Sequence, residues 1–251
     1  MLAGCLSVWY YYGSKHRVLS LHGFSFLKPF DRGIVRETLA LGASSFARHI
    51  SNSLMSIALF HVLYLYSGSI AIAAFGIIFR LLMFTYMPIF GINQGFMPIV
   101  GYNYGARNIS RVLEAIKFAN IFTTLLSVVA MVLMLIWSRE LISVFTTDQA
   151  LIDMGSPALR IVIIAFPVLG LQIIGSGLYQ ALGKPIQSLF LALVRQIIFL
   201  IPMVLILPLF FSLNGIWAAF PVADFLAALV TIIMVYLQMR ILRRNQNLVQ
   251  A

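Results

Sequence analysis

One carboxylate, Asp224, stands deep in an otherwise apolar run, and three arginines, Arg48, Arg80 and Arg195, stand deep in others. If each run is a helix crossing a bilayer, a rise of about 1.5 Å per residue puts Arg80, Arg195 and Asp224 roughly 14 to 17 Å from a membrane edge. A lone charge there costs about 2.5 to 3.5 kcal/mol on insertion scales, so each needs a partner or water. Asp224 can pair with Arg195 or with Arg80. Paired, it locks two helices together; unpaired, desolvation makes it a candidate proton carrier. Both roles, intramembrane ion pair and ion coupling, stay open on sequence alone. Three arginines also outnumber one acid, so backbone carbonyls or acids on a partner must absorb the rest.

Polar and small residues recur at the helical spacing of three and four. Ser45, Arg48, Asn52 and Ser56 form one stripe, Gln172, Ser176 and Tyr179 a second, and Trp217, Pro221, Asp224, Ala228 and Thr231 a third. A single stripe reads as glue between helices. Three stripes point to a shared polar cavity, for which the candidates are Arg48, Asn52, Arg80, Asn93, Gln94, Gln172, Ser176, Tyr179 and Arg195. Asn93 and Gln94 belong to "INQGFMPIVGYNYGARN", residues 92–108. In its second half Gly101 and Gly105 are expected to close a helix. Tyr102 and Tyr104 suit a membrane interface there, and Arg107 anchors the watery side.

Catalytic chemistry finds no footing. His49 and His61 are twelve apart with no Cys or carboxylate at ligand spacing, so neither a metal site nor a catalytic residue is predicted. No phosphate-cradling or dinucleotide glycine pattern occurs. "GSGLY" lacks the pattern of a nucleophile elbow. Cys5 is the single cysteine, which excludes an internal disulfide. No cofactor is expected.

These residues must be positioned by membrane helices. The chain of 251 residues is 61% hydrophobic and 10% charged, more oil than a soluble surface tolerates. Runs of about 20 apolar residues, enough to cross about 30 Å of hydrocarbon, recur along it. The predicted class is an all-α integral membrane protein with a six-helix transmembrane bundle, preceded by the tail of another membrane helix in residues 1–12. The spans fall near 39–66, 70–100, 112–137, 155–182, 185–211 and 215–242. Residues 13–38 are then a cytoplasmic segment, 39–242 the bundle and 243–251 a cytoplasmic tail. The net charge of +10 reports orientation rather than nucleic acid, because the basic residues cluster before span one and after spans two, four and six. Both ends of the bundle are therefore expected on the cytoplasmic side of a bacterial inner membrane. Pro88, Pro98, Pro157, Pro167, Pro202, Pro208 and Pro221 fall inside spans, where each frees a carbonyl and permits a kink. Kinked helices around polar stripes suit a moving transporter.

"AAFGIIFRLLMFTYMPIFGINQGFMPIVGYNYGARN", "QALGKP", "RQIIFLIPMVLILP" and "NGIWAAFPVADF" resemble the second-half signature of multidrug and toxic compound extrusion (MATE) transporters. The resemblance covers nearly all the chain from about residue 31. It implies one lobe of a twelve-helix transporter, with the six spans as helices seven to twelve. It further implies exchange of Na⁺ or H⁺ for a small cationic or amphiphilic drug by alternating access. The N-terminal lobe would then be missing or supplied by another chain. Some members carry a coupling carboxylate in helix seven or ten. Here Arg48, His49 and Asn52 occupy the first place and Gln172 and Tyr179 the second, which resembles members whose carboxylate sits in the other lobe. Two other readings are a flippase for a lipid-linked saccharide, whose pyrophosphate headgroup deep arginines would suit, and a structural membrane subunit without transport.

Overall fold

Hydrocarbon offers a backbone amide no partner, so a chain this apolar must satisfy its amides within helices. The computed structural model describes residues 32–250, with side chains except at 32, 34–45, 47–49 and 245–250. No strand occurs among the described residues. The chain divides into two compact units, residues 1–40 and 41–251, and the bundle is formed by the second. The expected helix tail 1–12 lies outside the described residues, as does the segment 13–38 up to residue 31.

The helices are α1 (Arg32–Gly105), α2 (Ile109–Ile136), a short α3 (Ser138–Ser143), α4 (Gln149–Ile163), α5 (Phe166–Ala181), α6 (Pro185–Leu193), a π-helical turn (Val194–Leu200) and α7 (Ile201–Gln250). The two longest are folded hairpins. In α1 the backbone leaves helical angles at Ser67 and Gly68, where Gly68 takes φ 62°. Phe60 and Phe75 then meet with ring centroids 6.0 Å apart. A straight helix would hold them about 22 Å apart. In α7 the break is at Ser212, φ 50°. The α1 hairpin supplies two spans, and α7 supplies two once α6 and the π turn are joined to its first arm. α2 adds one more crossing, and α4 with α5, bent by 53°, another. Six spans result. Pro167 explains the bend, since its ring clashes with the carbonyl four residues back and it donates no amide. The regular structure outruns the apolar runs: α1 starts at Arg32 rather than Leu39, and α7 continues to Gln250 through the expected tail. Helices carry charged turns past the hydrocarbon without cost, which hydropathy alone does not register.

The turns after α1 and α5 share one hydrogen-bond pattern. Asn108 N–H donates to Asn103 O at 2.8 Å and Arg107 N–H to Tyr104 O at 3.0 Å. Lys184 N–H donates to Tyr179 O at 2.8 Å and Gly183 N–H to Gln180 O at 3.1 Å. Both turns need a left-handed residue just beyond the helix, usually glycine. Gly183 supplies it at φ 71°, but after α1 the role falls to Arg107 at φ 58°, not to Gly101 or Gly105. An L-residue there costs roughly 1 kcal/mol. Arg107→Gly is expected to raise thermal stability by about that amount, read as a higher melting temperature in detergent.

Two apolar cores hold the bundle. One, around Leu63, Ile78, Leu159, Ile163 and Trp217, fills the end bearing the hairpin turns, with Phe75 stacked on Phe220 at 5.9 Å. The other, around Phe96, Val112, Ile116, Ile174 and Leu178, fills the opposite end. That second end is the basic one. Lys184 Nζ donates to Gln238 Oε1 at 2.8 Å there, tying the α5–α6 turn to α7 beside Arg240. Outward faces are apolar, with Phe84, Met87, Leu209 and Phe210 exposed, as lipid requires.

Candidate functional site: a polar layer between two apolar cores

Between the cores lies a belt of polar side chains. α5 is its spine, because it approaches three neighbours closely. A Cβ on Gly170 would stand 2.7 Å from Thr123 of α2, one on Gly175 2.5 Å from Thr231 of α7, and one on Gly177 2.0 Å from Asn93 of α1. Small residues at these crossings let backbones approach in the absence of a hydrophobic drive between helices. Tyr179 adds its hydroxyl, donated to the Met234 carbonyl at 2.8 Å.

At the centre Arg195 Nε donates to Asp224 Oδ1 in a salt bridge. Arg195 Nη2 also donates to the Tyr86 hydroxyl at 3.1 Å. Gln172 Nε2 donates to the Asp224 backbone carbonyl at 2.8 Å. Asp224 is buried, and Arg195 is the more accessible partner. Gln196, the next residue, donates to Asn52 Oδ1 on the first arm of α1. Adjacent residues of an α-helix diverge by about 100°. Here both serve the belt because Val194–Leu200 is wound as a π-helix, in which Ile201 N–H bonds to Gln196 O five residues back. Pro202 accounts for the slip. It cannot donate to the Ile198 carbonyl, and its ring crowds it. π turns often mark functional sites.

Two spaces flank this network. A cavity of about 220 Å³ is lined by Asn52, Asn93, Gln172, Ser176 and Arg195, with Gln180 at its edge. Asn93 is buried, and its Oδ1 has no hydrogen-bond partner. A second chamber of about 430 Å³ is largely aromatic, bounded by Phe75, Phe79, Phe90, Phe166 and Phe220, with Asp224 at its polar side. Asn52, Tyr86, Phe90, Arg195 and Gln196 border both, so the Arg195–Tyr86 contact partitions them. Such walls can take a flat amphiphile against aromatic faces while amides offer both donors and acceptors. The acid on the chamber wall, Asp224, is held by Arg195.

Of the residues singled out from sequence, Asn52, Asn93, Gln172, Ser176 and Arg195 come together on the cavity, and Asp224 joins through Arg195. Arg80 does not: it is exposed on the outside of the bundle, without a partner among the described residues, and Asp224 takes Arg195 instead. Gln94 is likewise exposed, and Tyr179 is buried in an interhelix hydrogen bond away from the cavity. The Arg48 side chain lies outside the described residues. All five residues of the third stripe, Trp217, Pro221, Asp224, Ala228 and Thr231, are buried. Tyr86 and Gln196 are additions that the polar stripes do not include. Tyr86 lies seven residues before Asn93, two helical turns, a spacing that carries the signal.

The MatE family model matches residues 44–206. Multidrug export protein MepA from Staphylococcus aureus strain N315 is 27% identical over 236 residues, 94% of this chain and 51% of that protein. The protein of the same name from Staphylococcus saprophyticus is 26% identical over 227 residues, 90% and 49% of the two chains. Among solved structures, the MATE multidrug transporter DinF-BH is 38% identical with a TM-score of 0.78, covering 93% of this chain and 52% of that one. An outward-facing MATE family transporter of the MOP superfamily superposes with a TM-score of 0.86 at 20% identity, covering 97% and 55%, a likeness of fold. The chain spans about half the length of the curated relatives it matches.

Proposed function

The chain belongs to the MatE family, and from that premise we propose that it forms one six-helix bundle of a secondary active multidrug efflux antiporter. In this reading a second bundle, on the same or another polypeptide, completes the route. Cationic amphiphilic compounds leave in exchange for Na⁺ or H⁺ by alternating access, and the basic end of the bundle, with the C-terminus, faces the bacterial cytoplasm. The relatives are named as multidrug exporters, not enzymes. The observation that carries the reading is the polar layer at mid-depth, with an amide-lined cavity and an aromatic chamber on either side of Arg195. A purely structural bundle has no use for buried polar space, which costs stability.

Asp224 is spoken for by Arg195 and, through its backbone carbonyl, by Gln172 of α5. We assign it to holding the bundle together, and the coupling carboxylate to the second bundle. Arg80, exposed midway along its span, is assigned to the surface that meets acids of that bundle. A saccharide-pyrophosphate flippase needs surplus cation in its cavity, and the one arginine bordering the cavity among the described residues is neutralised by Asp224.

The test is drug resistance in a pump-deficient bacterial host. The 251-residue chain alone is expected to leave ethidium accumulation unchanged, and co-expression with the complementary six-helix bundle of a full-length relative is expected to lower it several-fold. Ion-dependent resistance from this chain alone would overturn the two-bundle reading.

A further inference from the structure

At the basic end of the bundle α2 and α7 diverge, and a groove of about 700 Å³ opens on the outer face between them. Its floor is apolar, formed by Ile116, Leu171 and Val235. Its mouth carries Lys117 and Arg243, both exposed, and neither has an ion-pair partner among the described residues although Glu114 borders the same mouth. Asn120 lies one turn deeper than Lys117. Its Nδ2 donates to Ile116 O at 2.8 Å, while its Oδ1 is buried with no partner. Tyr236, exposed on the wall, is a residue type suited to a membrane interface.

We propose that this groove binds an anionic phospholipid, with an acyl chain along the apolar floor and the phosphate between Lys117 and Arg243. The shape and the charge select this occupant together. A free phosphate has no use for an apolar floor of this length. A cationic amphiphile fits the floor but meets a mouth whose two cations outnumber its one acid, Glu114, in a field raised further by exposed Arg111, Arg240 and Arg244. A second copy of the chain packed by a two-fold axis would bring the same cations against themselves. Basic pockets between helices at the inner face of a membrane are suited to anionic headgroups, and each cation contributes about fivefold in affinity. The proposal does not depend on drug transport: it needs a bilayer and the groove.

The experiment places a reporter in the groove. Phe118→Trp, corrected for the fluorescence of the otherwise unchanged chain, is reconstituted in vesicles containing brominated phosphatidylglycerol or brominated phosphatidylcholine at equal mole fraction. Stronger quenching by phosphatidylglycerol is expected, with a relative association constant at least about fivefold higher. That preference is expected to fall toward unity in high salt and in Lys117→Gln/Arg243→Gln. Equal quenching by the two lipids would overturn the proposal, as would a preference untouched by the double variant. Shielding from both lipids would identify a second copy as the occupant, and displacement of the brominated phosphatidylglycerol by a rhodamine-type cation would identify an amphiphilic drug; either result overturns it too. Should the double variant fail to fold, the lipid comparison and its salt dependence in Phe118→Trp alone decide.

Discussion

Asp224→Ala is expected to leave under a tenth of the normal amount of folded protein in the membrane, and Arg195→Ala little more, while the reversal Asp224→Arg/Arg195→Asp recovers a large part of it. The two side chains form a salt bridge between the π turn and the second arm of α7, with Asp224 buried. Removing one partner strands the other charge, which costs about 3–5 kcal/mol. That is a large share of the roughly 5–15 kcal/mol by which folded domains are stable. Reversal keeps the layer neutral, and a carboxylate at position 195 still accepts from the Tyr86 hydroxyl that now receives Arg195 Nη2. Asp224→Asn falls between, because it keeps an acceptor but leaves the guanidinium unbalanced. Fluorescence-detected size exclusion of fusion proteins measures all four. Asp224→Asn also separates the roles left open by the sequence. A coupling carboxylate replaced by its amide folds normally and loses only transport, whereas a structural partner loses folded protein first. Single and double variants that express equally badly would remove the pairing from the account of stability.

Depth in the membrane is legible in a sequence; direction around a helix is legible only with phase. Arg80, Asn93 and Gln94 all read as buried by depth. At about 100° per residue, the thirteen steps from Arg80 to Asn93 place them on opposite sides of α1, and Gln94 is a quarter-turn away from Asn93. The structure exposes Arg80 and Gln94 and turns Asn93 inward. The same phase brings Tyr86 to the Asn93 face, so its place is legible too. That of Gln196 is not, because the π turn that aims it depends on how Pro202 is accommodated, and a proline can as readily kink a helix as rewind it. The hairpin turns are plain in "YSGS" and "FFSLN", where helical angles do break, at Ser67–Gly68 and Ser212. The early start of α4 at Gln149 is not, since Gln149 and Asp153 interrupt the apolar run in its first turns. Its capping Asp148, accepting from Ala150 N–H at 2.9 Å, is the local signal that hydropathy passes over.

The second large effect is steric and sits outside the polar layer. Gly215→Val is expected to yield almost no folded protein, and Gly215→Ala several-fold less than normal, whereas Gly91→Ala is neutral or slightly stabilising. Ser212 reverses the chain, and Gly215 returns directly against the arm it left. A Cβ there would stand 2.4 Å from the Leu207 carbonyl oxygen, 2.6 Å from its carbon and 2.8 Å from Pro208 N. All three are backbone atoms, so no rotamer change relieves the clash. The turn must open instead. Opening it shifts Ile216 and Trp217, both buried to within 1% of their surface, against the Phe75 ring that Trp217 stacks on at 6.5 Å. Overpacking of a core costs about 1–3 kcal/mol even where side chains can yield, and a shifted hairpin adds cavity terms at several sites. Gly91 is the control, since nothing stands within 4 Å of its Cβ position. Alanine there gains about 0.5–1 kcal/mol of helix propensity. Melting temperatures in detergent rank the three variants. A Gly215→Val protein as stable as Gly91→Ala would mean that the arms of α7 do not meet at this turn, and the count of six spans would fall with it.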